Sequence, residues 1–421
     1  TENIYTVKDH LNSNRKFLLN NQFVSNFYVI EDLENMFMTA QIEIEDKGGW
    51  VEKFPILGSE IFEVELIQED DTDRNKRIIA NKKIEFEIYD ISLELGMNGR
   101  TNFYTFSLVE RGFYNLLGSY YSTSFKNKKI SDIVTSVFKN QLKLKDLKVK
   151  YEVEETADTL DFIIPYWKPT TTIKYLSKIA KRAKSPQECG FVFFSSFKGV
   201  NETQTVKQFT SLASLLEVPA ESGSQDRYYL RYGDKPITYI NNILEVKNKS
   251  LINRSVLKNG IRGKSYYGVD FHTNKRLLKE TIKLSDFVNA SVFLGETSYF
   301  SRDIEDSNSD IQFKGFSTAS LLKNEMSYNF RMDFENMNQR EILCNGALNR
   351  WVGKIINVLE ASGHLEEVYN TNLSGTWMIK RIVHHWVGSI FEQKMSIIKN
   401  SFGNLSTSDA PNNMTSTRKN I

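Results

Sequence analysis

The 421-residue chain has five histidines: His10, His272, His364, His384 and His385. Two are adjacent, and neighbouring side chains on a strand point to opposite faces. His384 and His385 therefore do not converge on one metal, and the pair reads as one packed and one exposed imidazole. There is no HExxH spacing. Cys189 and Cys344 stand too far apart, and are too few, for a disulfide framework or a zinc finger. They read as reduced core residues, since free cysteine packs as a small hydrophobe. No G-x-S-x-G, no G-x-x-x-x-G-K-[ST] and no G-x-G-x-x-G behind a strand occurs. Gly260-Ile261-Arg262-Gly263 comes nearest to a phosphate loop, but it lacks the Lys-Ser/Thr that would hold phosphate and magnesium, and it reads as a turn.

Acids are numerous enough for a paired-carboxylate glycosidase site, yet no pattern singles one out. The densest clusters are Glu43-Ile44-Glu45-Asp46 and Glu69-Asp70-Asp71-Thr72-Asp73. The second reads as a solvated hairpin loop, because like charges in a buried site repel, and its spacing is not that of an EF-hand. No catalytic, cofactor-binding or metal-ligating residue is assigned, and no cofactor is expected.

Composition narrows the class further. Lys and Arg number 54 against 52 acids, a formal charge of +2, without the concentrated basic stripe of a dedicated nucleic-acid binder. Hydrophobic residues are 40% and charged residues 25%, enough for a sizeable core. Aromatics reach 12%, with 28 Phe and 19 Tyr against 7 Pro, which favours strands and contact surfaces. No run approaches the ~18 apolar residues of a membrane helix. Thr1-Glu2-Asn3-Ile4-Tyr5 lacks the order of a signal peptide. The expectation is a soluble protein made in a reducing compartment.

The elements follow from periodicity. Tyr104, Phe106 and Leu108 alternate with polar neighbours, as do Ile84, Phe86 and Ile88, and Phe62, Val64 and Leu66; each set is one face of a strand. Gly48-Gly49 and Asn98-Gly99 are turn signals between such runs. Residues 1–111 thus read as an antiparallel β-domain. Ile130, Ile133, Val134, Val137 and Phe138 then follow helical spacing. A second helix is expected behind the capping candidates Thr170-Thr171-Thr172, carrying Ile173, Leu176, Ile179, Ala180 and Ala183, with lysines and Arg182 on a solvated face. With Gly190–Phe194 as a buried strand, 112–220 reads as an α/β insert. Strands return over 221–246, at Arg227–Tyr232 and Pro236–Val246. Residues 247–330 read as short strands and loops, continuing the insert or standing apart. In 331–402, Ile342, Leu343, Ala347 and Leu348 suggest a helix over Glu335–Arg350. Strands are expected at Ile355–Leu359, Thr376–Val387 and Phe391–Lys399, and 403–421 as a flexible polar tail.

Several of these stretches resemble one known arrangement. Trp50-Val51-Glu52-Lys53-Phe54-Pro55-Ile56-Leu57-Gly58-Ser59-Glu60 looks like a P-I-x-G-x-E entry into a tail-tube-like β-barrel. Ser107-Leu108-Val109-Glu110, then Tyr120-Tyr121-Ser122 and the first helix, open the insert. Ile163-Ile164-Pro165-Tyr166-Trp167-Lys168-Pro169-Thr170 is similar to the step into the next helix. Leu373-Ser374-Gly375-Thr376-Trp377-Met378-Ile379-Lys380-Arg381-Ile382-Val383-His384-His385 resembles a closing LSGxWxIxxIxH signature. In this order they resemble the central baseplate hub proteins of contractile-tailed bacteriophages, a family related to the hub part of type VI secretion spike proteins. The likeness covers about 1–200 and 330–400.

The resemblance implies a β-rich α+β fold of two tail-tube-like antiparallel β-barrel domains with an inserted α/β domain. It implies a non-enzymatic homotrimer whose pseudo-sixfold ring joins a threefold central spike protein to the sixfold tail tube protein. Other baseplate wedge proteins and the tape measure protein are the further partners, and DNA passes only transiently through the lumen. The place implied is the virion tail baseplate, assembled in the host bacterial cytoplasm. Two other classes stand beside this one: a receptor- or glycan-binding tail component, which calls for an exposed aromatic cluster, and a cell-wall hydrolase, which calls for a cleft with paired carboxylates. Trp50, Trp167, Trp351, Trp377 and Trp386 belong to core or interface, and the sequence assigns none of them.

Overall fold

The structure, a computed structural model, describes residues 2–8, 16–19, 22–49, 51, 56, 58–69, 78–95, 101–143, 149–186, 189–199, 204–217, 227–230, 241–250, 263–270, 278–283, 313–316, 324–325, 327–329, 332, 338–361, 374–388 and 390–399. His10, His272, His364, Asn98-Gly99, Asp70–Asp73, Gly260–Arg262, Trp50, Pro55 and the tail from Ser401 lie outside these residues.

Seven strands come first: β1 (Glu2–Lys8), β2 (Lys16–Leu19), β3 (Val24–Asp32), β4 (Thr39–Asp46), β5 (Ile61–Glu69), β6 (Ile78–Leu95) and β7 (Asn102–Glu110). Each expected alternation is realised: Phe62, Val64, Leu66, Ile84, Phe86, Ile88, Tyr104, Phe106 and Leu108 all point into one core. In β4 the same alternation turns Ile44 and Asp46 inward and leaves Glu43 and Glu45 outside. Asp46 then caps the turn that follows, accepting from the backbone N–H of Gly48 at 3.0 Å and of Val51 at 3.3 Å.

The insert follows: α1 (Tyr114–Leu117), β8 (Tyr121–Lys129), α2 (Ile130–Asn140), β9 (Lys150–Val153), β10 (Thr159–Trp167), α3 (Pro169–Ile179), β11 (Phe191–Ser196), β12 (Val206–Ser211) and α4 (Leu212–Glu217). β8 and β10 form a two-stranded ribbon, and β11, β12 and β9 a three-stranded sheet. Ile130, Ile133, Val134, Val137 and Phe138 of α2 pack with Ile173, Leu176 and Ile179 of α3 in a second core, as their spacing requires. The threonine capping expectation is corrected: Pro169 opens α3, Lys168 occupies the N-cap, and Thr170–Thr172 lie inside the helix. Proline at the first helical position loses no bond, because that N–H is unpaired anyway. The helix ends at Ile179, so Ala180 caps it and Ala183 lies beyond.

The remaining strands are β13 (Arg227–Leu230), β14 (Ile243–Ser250), β15 (Gly263–Asp270), β16 (Leu278–Lys283), β17 (Phe313–Phe316), β18 (Asn338–Asn345), β19 (Ile355–Glu360), β20 (Gly375–Val387) and β21 (Ile390–Lys399). β15, β16 and β17 make a separate sheet within the 247–330 stretch. The helix expected over Glu335–Arg350 is corrected: strand β18 runs there between β14 and β21. Its inward residues are Arg340, Ile342 and Cys344. A charged side chain in the inward phase hid the period of two.

Thirteen strands join one sheet, in the order β14-β18-β21-β20-β3-β4-β7-β6-β5-β1-β2, with β19 and β13 branching from β20. Its main path is antiparallel throughout, and only the β13–β19 branch is parallel. Besides the core of the insert, the sheet wraps two cores, the one under the first seven strands and another built on Tyr228, Ile342, Ile356, Trp377, Ile382 and Met395, so the fold is β-rich with two antiparallel β-domains and an α/β insert. β20 joins them. Its first residues pair with β19, and Arg381–Val387 pair with Asn26–Asp32 of β3. The handover falls at a register shift between Ile379 and Arg381. Trp386 and Leu348, from the C-terminal part of the chain, complete the N-terminal core.

Candidate functional site

The two short sequence signatures each have a local physical cause. In P-I-x-G-x-E, Ile56 packs on the first core, Gly58 sits at φ +91°, and the buried Glu60 accepts from the Gly58 N–H at 2.8 Å. Only glycine takes that backbone conformation cheaply. In LSGxWxIxxIxH, Gly375 has φ +118°, and Trp377, Ile379, Ile382 and His384 all point inward. The three-residue step from Ile379 to Ile382 is the β-bulge, which re-phases the strand as it passes from one core to the other. Ser374 bonds the Glu360 backbone, its Oγ accepting from the N–H at 2.9 Å.

Where the domains meet, inward polar residues form a closed network. His384 of β20 is fully buried and its Nε2 lies 2.7 Å from Glu31 Oε1 of β3. Gln393 of β21 approaches His384 Nδ1 at 2.8 Å. The amide of Gln393 is oriented by Ala347, whose N–H donates to Oε1 at 3.0 Å and whose carbonyl accepts from Nε2 at 2.7 Å. Nδ1 therefore accepts, and Nε2–H donates to Glu31. The other oxygen of Glu31 takes the N–H of Phe197, from the insert, at 3.0 Å and of Val352 at 3.4 Å. Arg350 extends the network to Gln393 at 2.7 Å, the Tyr228 hydroxyl at 2.8 Å and Asn241 at 3.1 Å. First β-domain, insert and second β-domain are thus tied through six side chains. On the opposite face of β20 the half-buried His385 bonds Asn26 at 2.6 Å, so the two imidazoles diverge as expected.

A second tie links β7 to the insert. Glu110 accepts from Lys207 at 2.8 Å, from Ser195 and Thr205 at 2.9 Å each, and from the Met38 N–H at 3.2 Å. Burial pushes the Lys207 ammonium well below its ordinary range, against the pull of Glu110. Inside the insert, Arg182 bridges Glu217 and Glu154, and the Glu217 carboxylate raises the guanidinium further still.

Chemically these are struts. Glu31–His384 has the composition of a general-base pair, but both imidazole nitrogens are engaged, by Glu31 and Gln393, and among the described residues neither bonds a hydroxyl or thiol nucleophile. Cys189 and Cys344 are buried free thiols, and burial pushes Cys344 up to about 11. Among the described residues no three metal-ligating side chains cluster, and no helix is long and apolar enough to cross a membrane. The sequence reading did not single out Glu31, Glu110, Lys207, Arg350 or Gln393. For the four that lie on strands the signal was a polar residue in phase with the inward apolar set, as Gln393 is with Met395; Arg350, in the β18–β19 loop, carries no such phase.

Exposed apolar side chains occur at several places among the described residues, two of them notable for their aromatic rings. Tyr89 and Leu93 stand out on the far half of β6. At the end of the β8–β10 ribbon, Tyr120, just before β8, stacks at 5.2 Å on Tyr166 of β10, which is held at φ +53°, and Ile163 of β10 is also exposed. A non-glycine residue at positive φ is strained.

No protein-family model matches the sequence, and a comparison with curated proteins gives no match. Solved structures do match. The tail protein from Neisseria meningitidis MC58 aligns with a TM-score of 0.55 at 9% identity, over 96% of this chain and 98% of that one. The fold is that of a tail protein. A 43 kDa tail protein of prophage MuSo2 from Shewanella oneidensis shares the tail-protein fold with a TM-score of 0.51 at 11% identity, over 96% of this chain and 100% of that one. The likeness runs through both β-domains and the insert.

Proposed function

We propose that this chain is a structural, non-catalytic subunit of a bacteriophage tail baseplate hub. Three copies form a pseudo-sixfold ring that joins a threefold central spike protein to the sixfold tail tube protein. The observation that carries the reading is the pairing of Arg381–Val387 with Asn26–Asp32, which fuses two β-domains into one rigid body. A ring of three such bodies presents six β-domains upward and three equivalent subunits downward. The domains are those set by the sequence: 1–111, the insert 112–220, the return strands 221–246, the stretch 247–330, and 331–402 with its tail. Wedge and tape measure proteins complete the surroundings within the virion tail baseplate, after assembly in the host cytoplasm. The near-neutral charge of +2 suits a lumen through which DNA passes without being held.

The test is absolute mass by light scattering on a sizing column. The expected result is three times 48.7 kDa for the protein alone, or three copies of the chain per complex once the spike protein is added. A monomer under both conditions would overturn the reading. The stacked Tyr120 and Tyr166 favour one second reading, a glycan-binding tail component, since sugars pack on exposed aromatic faces. Saturable binding of host surface glycan, lost in Tyr166→Ala, would support it over the hub.

A further inference from the structure

The end of the second β-domain away from the β3–β20 pairing carries cations out of proportion to its anions. Arg340 opens β18, Lys399 closes β21, Trp377 lies near the start of β20 and Glu360 ends β19, so all four stand at the same end of the sheet. All are buried. Arg340 and Lys399 both lie over the Trp377 ring, at 5.1 and 5.6 Å. Glu360 answers only one nitrogen of Arg340, accepting from Nη1 at 3.1 Å. Lys399 donates to the Ser374 carbonyl at 2.9 Å.

Among the described residues the other two guanidinium nitrogens, Nε and Nη2, have no hydrogen-bond partner, and neither does the Trp377 indole Nε1–H. Nε and Nη2 form one edge of the guanidinium, with parallel N–H bonds that match the two oxygens of a carboxylate or phosphate. Buried arginine donors are ordinarily satisfied. Elsewhere in this protein they are: Arg182 engages both edges with Glu154 and Glu217, and Arg350 engages Nε, Nη1 and Nη2. Arg340 alone of these three turns a complete donor fork toward no acceptor.

We propose that the Nε–Nη2 edge of Arg340, beside Lys399 and Trp377, binds an oxyanion at the end of the second β-domain away from the β3–β20 pairing. The ligand is a carboxylate from an incoming chain or a free phosphate, and both present the paired oxygens the fork requires. Two cations against one carboxylate leave a single excess positive charge for it to neutralise. Burial lowers Arg340 against the pull of Glu360, and burial together with the Arg340 charge lowers Lys399, a penalty that a bound anion relieves. The site stands whether or not the chain is a hub subunit.

Trp377 supplies the probe. The full-length protein is labelled with 5-fluorotryptophan, and Trp377→Phe identifies its line among the five tryptophans. Inorganic phosphate and, separately, acetate are titrated at ionic strength held constant with chloride. The expected result is a saturable shift of the Trp377 line, with apparent affinity at least tenfold weaker in Arg340→Lys, which keeps the charge and loses the fork. Saturation by phosphate alone assigns the site to a tetrahedral anion, and saturation by acetate as well assigns it to a carboxylate. No saturable shift in either titration overturns the proposal, as does a shift unchanged in Arg340→Lys. If that variant does not fold, the wild-type titration decides by itself, the other four lines serving as the control for general salt effects.

Discussion

Glu31 accepts a 2.7 Å hydrogen bond from His384, a residue 353 positions later in the chain, and neither side chain touches solvent. Around this bond the three parts of the molecule are held in register. Replacing Glu31 with Ala leaves the His384 Nε2–H and the N–H groups of Phe197 and Val352 without their acceptor. Each buried donor so orphaned costs about 1–3 kcal/mol. Glu31→Ala is expected to lose about 3–5 kcal/mol of stability by chemical denaturation, whereas His385→Ala, on the other face of the same strand, loses under ~1 kcal/mol. Equal losses would show that the network is not the joint.

The Glu110–Lys207 pair predicts non-additivity. Glu110→Gln leaves a buried ammonium beside the Phe37 ring, and breaking such a pair from one side costs about 3–5 kcal/mol. Glu110→Gln combined with Lys207→Met removes both charges and should cost less than the sum of the single changes. A double-mutant cycle with no coupling would contradict the pairing.

A methyl group at Gly346 would stand 2.1 Å from Cγ of Phe391. That ring is stacked on Trp386 with centroids 4.3 Å apart. Gly346→Ala must push Phe391 off the stack, at a cost of about 1–3 kcal/mol. Loss of the aromatic near-ultraviolet circular dichroism, together with a lowered denaturation midpoint, is the expected signature.

Lys399 predicts a pH dependence. Burial, with Arg340 adding to it, lowers its ammonium from 10.5 to about 8. Below pH 8 the lysine is charged in both states and the folded state carries the full burial penalty. Between about 8 and 10.5 the unfolded chain holds a proton that the folded chain has released, so stability rises with pH across that window. The rise is on the order of 3 kcal/mol. Lys399→Met, denatured with urea at pH 7.5 and 10 beside the wild type, should lack it; an identical slope in both proteins would refute the assignment.

Much of this was legible in the sequence because burial on one face of a sheet imposes a period of two. The runs at Phe62–Leu66, Ile84–Ile88 and Tyr104–Leu108 are strands for that reason, and α2 follows equally directly from its spacing. The helix expected over Glu335–Arg350 failed for a specific reason. Arg340 occupies an inward position of β18, which broke the alternation and let Ile342, Leu343, Ala347 and Leu348 pass for a helical face. The bulge after Ile379 likewise replaces a step of two with a step of three. The joints themselves were illegible, because each is assembled from residues far apart in the chain, and what marks a partner such as Gln393 is only its phase.

The pairing of β3 with β20 also sets an order of events during synthesis. Asn26–Asp32 leave the ribosome long before Arg381–Val387 exist. At about 5–20 residues per second, the interval is roughly 20–70 s. Throughout it, one edge of the N-terminal sheet has no strand to complete it, and the nascent polypeptide is exposed to premature association. Translation arrested at residue 370 should therefore give ribosome-bound chains that a strand-mimicking peptide of residues 379–388 can capture, and release of Arg381–Val387 from the ribosome should abolish that capture.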